Sequence, residues 1–243
     1  MTSQPVWPDG VRLRRYEILD STNEEAIRLA REGERGPVWI SAAQQTAGRG
    51  RRGRAWVSQP GNLFASLLTE AEERNAAETG FVAAASAVDA IRRFVPGERV
   101  KIKWPNDVLI DGRKCAGILV ERIADRLVAI GIGIDLVDCP SGIGAVSLSE
   151  ICGFAPSPGE LLTPLAVEMK HWLQQWREAG FVPVREAWLA RAAGMGHQIH
   201  AATPLGTIDG CFQNLDRDGA LLLRDAGGTM HRITAADVFY GGQ

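Results

Sequence analysis

The stretch Gly48-Arg49-Gly50-Arg51-Arg52-Gly53-Arg54-Ala55-Trp56 constrains this chain more than any other segment. Four arginines fall within six positions, interleaved with three glycines, in a chain whose formal net charge is only -2. Strand-like apolar sequence flanks it, Val38 to Gln44 before and Asn62 to Leu68 after. Glycine gives such a loop access to positive φ and to close backbone approach. Arginine supplies a planar, permanently charged fork that fits carboxylate and phosphate oxygens. Charge concentrated this way implies a pocket for a phosphorylated or carboxylated small molecule. A solvated basic loop is the plain alternative. An RNA-gripping arginine–glycine tract is another, but such tracts usually sit in disordered tails, not between strands.

The chain has 243 residues, 45% hydrophobic and 23% charged, which suits a globular protein of one large domain, or one large and one small. Its first twenty residues contain no apolar core, so no secretory signal is read. The longest apolar run, Phe81 to Ile91, is broken by Ser86 and Asp89. It is too short for a bilayer span of ~20 residues. Cys115, Cys139, Cys152 and Cys211 form no CxxC pair and read as reduced thiols, consistent with a cytoplasmic location. His197 and His200 form an HxxH without a third ligand, so they are read as a surface or core pair and not as a zinc site.

Ser21 to Gly33 reads as a helix with capping-box spacing between Ser21 and Glu24. Ala76 to Val95 is Ala-rich and predicts a buried helix. In Arg99 to Trp104, Val100, Ile102 and Trp104 alternate with Lys101 and Lys103, which predicts a strand. Val108 to Ile110 and Cys115 to Glu121 read as strands joined at Asp111-Gly112, a hairpin signal. Arg126 to Leu136 is a further strand, with Gly131 and Gly133 on one face, a pattern of close ligand approach. From Pro158 to Trp176 the period is helical, and Arg185 to Ala193 continues as a second helix. After Gly194 four short strands are expected: Gln198 to Ala202, Gly206 to Asn214, Ala220 to Arg224 and His231 to Tyr240. This divides the chain into residues 1–194 and 195–243. The tail is small for an independent core and is expected to pack on the main domain.

Four clusters could carry chemistry. Ser21-Thr22-Asn23 is a plain helix N-cap, or a polar ligand contact at a helix N-terminus. Gln45 stands beside the glycine–arginine loop. Lys103-Trp104-Pro105-Asn106-Asp107 is a strand end and turn. Its lysine beside a carboxylate and an amide also suits phosphate, or magnesium held partly by Asp107. Lys114 followed by Gly117 is a surface lysine at a hairpin, or a further cation for the same pocket.

Taken in order, Ser-Thr-Asn, Gln-Thr-Ala-Gly-Arg-Gly-Arg-Arg-Gly-Arg-Ala-Trp, Lys-Trp-Pro-Asn-Asp, Arg-Lys-x-x-Gly-Ile-Leu and Gly-Ile-Gly closely resemble the biotin protein ligase family, from Tyr16 to about Leu136. Gly206 to Gly210 and Asp216 to Leu223 look like that family's small β domain. The resemblance implies an α+β fold: a mixed sheet flanked by helices, related to class II aminoacyl-tRNA synthetases, plus a C-terminal SH3-like β-barrel. It implies ATP-dependent activation of biotin as biotinyl-5′-AMP, with Mg2+, and transfer to a lysine of the biotin carboxyl carrier domain of a carboxylase. Screening two anions during that step falls to Arg51, Lys103 and Lys114, with Asp107 as base or orienter. Biotin contacts are expected from Ser21, Thr22, Asn23, Gln45, Gly48, Arg49, Gly50, Arg51, Lys114, Gly117 and Gly133, the last two clearing space for its bicyclic ring. Nucleotide contacts are expected from Arg51, Arg54, Trp56, Lys103, Asn106, Asp107 and Asp135.

The loop is expected to be loose when empty and ordered over bound adenylate, excluding water. Asp135 departs from the family's usual Asn after Gly-Ile-Gly-Ile, and a carboxylate cannot donate the same hydrogen bonds. Only fifteen residues precede Tyr16, which suggests the type without a DNA-binding domain. Family members include monomers and dimers, so a homodimer is possible. Lipoate protein ligase, a nucleic-acid binder and an inactive biotin-binding homologue are the rival readings.

Overall fold

The structure, a computed structural model, describes residues 5–71, 76–124, 126–142 and 144–240. Its main sheet has seven strands: β1 (Arg12–Leu19), β2 (Val38–Gln45), β3 (Leu63–Glu70), β4 (Val100–Lys103), β5 (Asp107–Ile110), β6 (Arg113–Ala124) and β7 (Leu127–Ile134). They lie in the order β1-β2-β3-β7-β6-β5-β4. β1 and β2 are parallel and every other neighbouring pair is antiparallel, so the sheet is mixed, as expected. The β5–β6 hairpin turns through Asp111 and Gly112, both at positive φ (50° and 79°), the conformation that Asp-Gly favours.

Side-chain alternation decides what each face of the sheet covers. On one face Trp39, Leu67, Val128, Ile130 and Ile132 are buried with α2 (Glu78–Ile91), α4 (Pro158–Ala179) and α5 (Phe181–Ala190). On the other, Val38, Ile40, Leu68, Leu127 and Ala129 are buried under Ala26 and Leu29 of α1 (Thr22–Arg31). Along β7 the face that α1 covers therefore begins with Leu127 and Ala129 and continues as Gly131 and Gly133. The helix shields its start, and the glycines floor the cavity described below.

The sequence misses β1. Arg12, Arg14, Arg15 and Glu17 mask its period, as charge commonly does on an edge strand. It also misses the short α3 (Leu148–Cys152), capped by Ser147. Two expected boundaries move. α5 starts at Phe181 rather than Arg185, because Gly180 at φ 72° ends α4 and Phe181, Val184 and Trp188 supply the buried stripe. The expected strand His231–Tyr240 is two strands, β11 (Met230–Ile233) and β12 (Asp237–Tyr240).

With β8 (Gln198–Thr203), β9 (Gly206–Leu215) and β10 (Leu221–Arg224), these form a five-stranded antiparallel sheet in the order β11-β10-β9-β8-β12. No ladder joins β11 to β12 among the described residues, so by strand pairing this sheet is not a closed barrel. It does pack on the main body. Phe212 stands edge-on to Trp188 with centroids 6.5 Å apart, the Trp104 indole N–H donates to the Gly219 carbonyl at 3.0 Å, and both sheets share one apolar core. No described helix is long and apolar enough to cross a membrane.

Candidate active site

A cavity of about 890 Å3 opens on the α1 side of the main sheet, and every expected site residue except Gly48 lines it. Gly48 acts one step back. A Cβ there would come within 2.8 Å of Ser58 Oγ and the Trp56 carbonyl, so a larger residue would push the loop off its base.

One end of the cavity is a network of short polar side chains. The Thr22 N–H donates to Gln45 Oε1 at 2.8 Å, so Gln45 caps α1 across the sheet. Ser21 occupies the N-cap position but makes no side-chain cap bond, and Glu24 pairs with Arg49 at 2.7 Å; the expected capping box is not formed. Ser66 Oγ lies 2.7 Å from Thr22 Oγ1 and 2.6 Å from Asn23 Oδ1. One hydroxyl carries one proton, so only one of these contacts is a donation from Ser66 at a time. Asn23 Nδ2 donates to Glu121 Oε2 at 2.7 Å. Ser66 and Glu121, which hold Asn23 from behind the cavity wall, are not among the expected site residues, and Gly131, read only as a position of close approach, joins Gly133 in the lining. Ser66 was legible as a hydroxyl within the apolar run Leu63–Leu68, and Gly131 as the alternate partner of Gly133. Nothing local marks Glu121.

The glycine–arginine loop folds as a tight turn, with the Gly50 N–H donating to the Arg54 carbonyl at 2.7 Å and the Trp56 N–H to the Gly48 carbonyl at 2.9 Å. Arg52 takes φ 56°, a left-handed conformation disfavoured outside glycine. The four arginines do not simply repel. Arg49 pairs with Glu24 and Glu121, Arg51 Nη1 donates to Asn106 Oδ1 at 3.1 Å, and Arg52 and Arg54 both hold Asp237 of β12. Burial pushes the Asp237 carboxyl up, but Arg54, Arg52 and Arg51 outweigh it and leave it below the usual carboxylate range. Asp237 was also missed, because it lies 183 residues from Arg54. Partly exposed pairs of this kind contribute only ~0–1 kcal/mol each. Ion pairs of this strength hold the loop reversibly.

The cations expected to act together do share the cavity. Arg51 comes from the loop, Lys103 from the end of β4 and Lys114 from β6. Burial lowers the Lys103 pKa, against a smaller upward pull from Asp107, and its ammonium lies 5.6 and 5.5 Å from the ring centroids of Phe239 and Tyr240. Lys114 Nζ is 2.7 Å from Asp107 Oδ1 and 5.3 Å from the Trp56 ring centroid. Asn106 Nδ2 donates to the Ile118 carbonyl at 2.8 Å, which fixes its oxygen toward Arg51.

Trp56 departs from the simplest expectation. Its indole already fills the space above Gly117 and Gly133, where added Cβ atoms would fall 2.7 and 2.5 Å from the ring. Its Nε1 is buried and finds no hydrogen-bond partner among the described residues. A bicyclic ligand could use the glycine floor only if this ring moved. We therefore expect biotin to change the intrinsic fluorescence, and Trp56→Phe to remove most of that change. An equal change in the variant would show that the indole stays in place.

No group of three or more His, Cys, Asp and Glu side chains able to hold a metal occurs among the described residues. Asp107 is engaged by Lys114, so the donor set does not build a resident metal site. Magnesium commonly uses one or two carboxylates plus substrate phosphates.

Comparison with known proteins places this arrangement. Residues 16–136 match the Biotin/lipoate A/B protein ligase family, and residues 195–241 match the Biotin protein ligase C terminal domain. The chain is 43% identical to the biotin--[acetyl-CoA-carboxylase] ligase of Paracoccus denitrificans over 92% of its own length and 98% of the relative's. It is 32% identical to the bifunctional ligase/repressor BirA of Bacillus subtilis (strain 168), over 96% of this chain and 75% of that one. The biotin protein ligase of Aquifex aeolicus, solved in complex with biotin and ATP, superposes with a TM-score of 0.84 at 27% identity, covering 95% of this chain and 99% of that one. The chain belongs to the biotin protein ligase family.

Proposed function

We propose that this chain is an ATP-dependent biotin protein ligase. The biotin carboxylate attacks the α-phosphorus of ATP, the bond to the β-phosphate breaks, and pyrophosphate leaves. The acceptor lysine's neutral amine then attacks the acyl carbon of biotinyl-5′-AMP, and AMP departs. The acceptor is taken to be a biotin carboxyl carrier domain.

The observation that carries this reading is the convergence of Arg51, Lys103 and Lys114, from three separate segments, on one cavity with a hydroxyl–amide cluster at one end. Two anions must meet in the first step. Preorganised cations in a partly dehydrated site stabilise that approach without reorganising at the moment of reaction. On this reading Ser21, Thr22, Asn23 and Gln45 take the ring end of biotin, and Arg49, Gly50, Arg51 and Lys114 lie near its carboxylate and the α-phosphate. Arg54, Trp56, Lys103, Asn106, Asp107 and Asp135 serve the nucleotide. Magnesium arrives on the phosphates of ATP, where Asp107 is the carboxylate available to it. Asp107 is also our candidate to orient the acceptor amine or take its proton.

The boundary drawn between residues 194 and 195 is supported by the separate family match from residue 195. We read the tail as SH3-like, the main sheet as related to class II synthetases and the location as cytoplasmic. The deciding experiment supplies ATP with biotin or with lipoate and follows pyrophosphate, then adds a carrier domain and follows its biotinylation. Release with biotin and little with lipoate is the expected result. Release with neither would sink the reading, and a preference for lipoate would transfer it to the neighbouring ligase class.

A further inference from the structure

We propose that Glu121 is a positioning residue for biotin. It fixes the amide of Asn23, which sets the direction of the hydrogen bonds through the hydroxyl–amide cluster, and it holds Arg49 of the loop against that cluster. The inference rests on the ligase reading for the identity of the ligand and adds to it a residue that stands behind the cavity wall and not in its lining.

β6 delivers this carboxylate. Leu119 and Glu121 lie opposite Gly131 and Ala129 of β7, and directly opposed residues share a face, here the one that α1 covers. The Glu121 side chain is 27% exposed. The Asn23 amide nitrogen faces β6: it donates to Glu121 Oε2 at 2.7 Å and has the Leu119 carbonyl 3.4 Å away. Asn23 Oδ1 is thereby turned to Ser66, on the side where a Cβ at Gly131 would meet it.

A carboxylate only accepts, and each hydroxyl has one proton to give. The Asn23 amide therefore cannot turn over without setting its oxygen against a Glu121 oxygen. With the nitrogen fixed there, Asn23 Oδ1 accepts the Ser66 proton across 2.6 Å. The 2.7 Å contact between Ser66 Oγ and Thr22 Oγ1 then requires the Thr22 proton. Gln45 Oε1, 3.2 Å from Thr22 Oγ1, is supplied instead by the Thr22 N–H at 2.8 Å. One acidic side chain thus orders the bonds from Thr22 to Ser66 to Asn23, and leaves the Thr22 hydroxyl in the cavity lining as an acceptor.

The same carboxylate receives the loop. Arg49 Nη2 is 3.0 Å from both Glu121 oxygens and 2.7 Å from Glu24 Oε1 of α1. Glu121 is thus asked for two acceptors, Oε2 for Asn23 and Oε1 for Arg49. Glutamine has the same shape but exchanges one acceptor for a donor, so it satisfies one of these partners and opposes the other. Arg49 keeps Glu24 in either case, so removing the Glu121 charge leaves the loop tethered to α1.

The test is steady-state pyrophosphate release by the full chain, with biotin and ATP varied separately. Glu121→Gln should raise the KM for biotin about tenfold or more, the scale of losing a hydrogen bond to a charged group. The kcat and the KM for ATP should stay within about twofold of native, a split that a general loosening of the fold would not give. Asn23→Asp should also raise the KM for biotin, since two carboxylates would face each other across the 2.7 Å contact. Joined with Glu121→Gln it restores the match: the glutamine nitrogen donates to the aspartate, whose other oxygen still accepts from Ser66, and the glutamine oxygen still accepts from Arg49. The double variant should therefore have a lower KM for biotin than either single variant. Thermal unfolding reports whether each variant is folded. If the double variant does not fold, Glu121→Gln decides alone, because its site is partly exposed and outside the apolar core. A native KM for biotin in Glu121→Gln, equal rises in both KM values, or a folded double variant no better than the single changes would overturn the proposal. Failure of the ligase reading shows up separately, as absence of biotin-dependent pyrophosphate release by the native chain.

Discussion

Lys114→Ala should lower biotin-dependent pyrophosphate release by about 10²–10³-fold, the range seen when one preorganised charge-stabilising group is removed from an active site. The loss should reach the upper end of that range. Lys114 contacts a cavity carboxylate, 2.7 Å from Asp107, and both side chains are largely shielded from solvent. Without the lysine, Asp107 loses the cation in contact with it and stands as a less compensated negative charge beside two incoming anions. The deletion thus subtracts an attraction and adds a repulsion. Lys114→Ala and native protein should unfold thermally within a few degrees of each other, since the lysine is absent from the apolar core. Pyrophosphate release at the native rate by a folded variant would remove Lys114 from the chemistry.

Gly131→Ala should raise the KM for biotin more than tenfold while changing the KM for ATP much less. A Cβ at residue 131 would fall 2.5 Å from Asn23 Oδ1 and 3.1 Å from its Cγ. Asn23 cannot simply swing away, because it is 3% exposed and held by Ser66 at 2.6 Å and Glu121 at 2.7 Å. Relief requires α1 to shift or the network to break, at the ~1–3 kcal/mol typical of overpacking. Gly133→Ala makes a useful contrast. Its clash, at 2.5 Å, is with Trp56 on a loop held mainly by ion pairs, so that neighbour can yield. Steady-state kinetics with each substrate varied separately gives the comparison. A biotin KM in Gly131→Ala equal to the native value would show that the hydroxyl–amide end does not hold biotin.

How far the site could be read from sequence depends on how local its signals are. Gly48 to Trp56 and Lys103 to Asp107 declare themselves, since glycine and cationic residues between strand-like runs have few structural uses. Ser21 to Asn23 was ambiguous, because a helix N-cap and a ligand contact call for the same residue types. The structure shows something between: Gln45 caps the helix, and the Ser66 hydroxyl sits between Thr22 and Asn23. Glu121 and Asp237 left no trace. One is a charged residue on a long strand and the other an acid in a short tail strand, and each becomes meaningful only when it meets an arginine of the loop. β1 was lost for the opposite reason, its charges hiding the alternation that marks a strand.

The sequence by itself determined the secondary elements with strong periods, the cationic loop between two strands and, through motif order, the family. These follow from interactions a few residues apart, where spacing alone fixes which side chains share a face. Tertiary structure decided that Asn23 of α1 abuts Gly131 and that Gly133 and Asp135 line the cavity beyond it. It also decided that Trp56 fills the glycine floor and that Asp237 ties the loop to the second sheet. Those outcomes depend on which distant surfaces bury one another, and burial of an apolar face is non-directional. It selects partners by the shape of the whole core, which no single stretch of chain encodes.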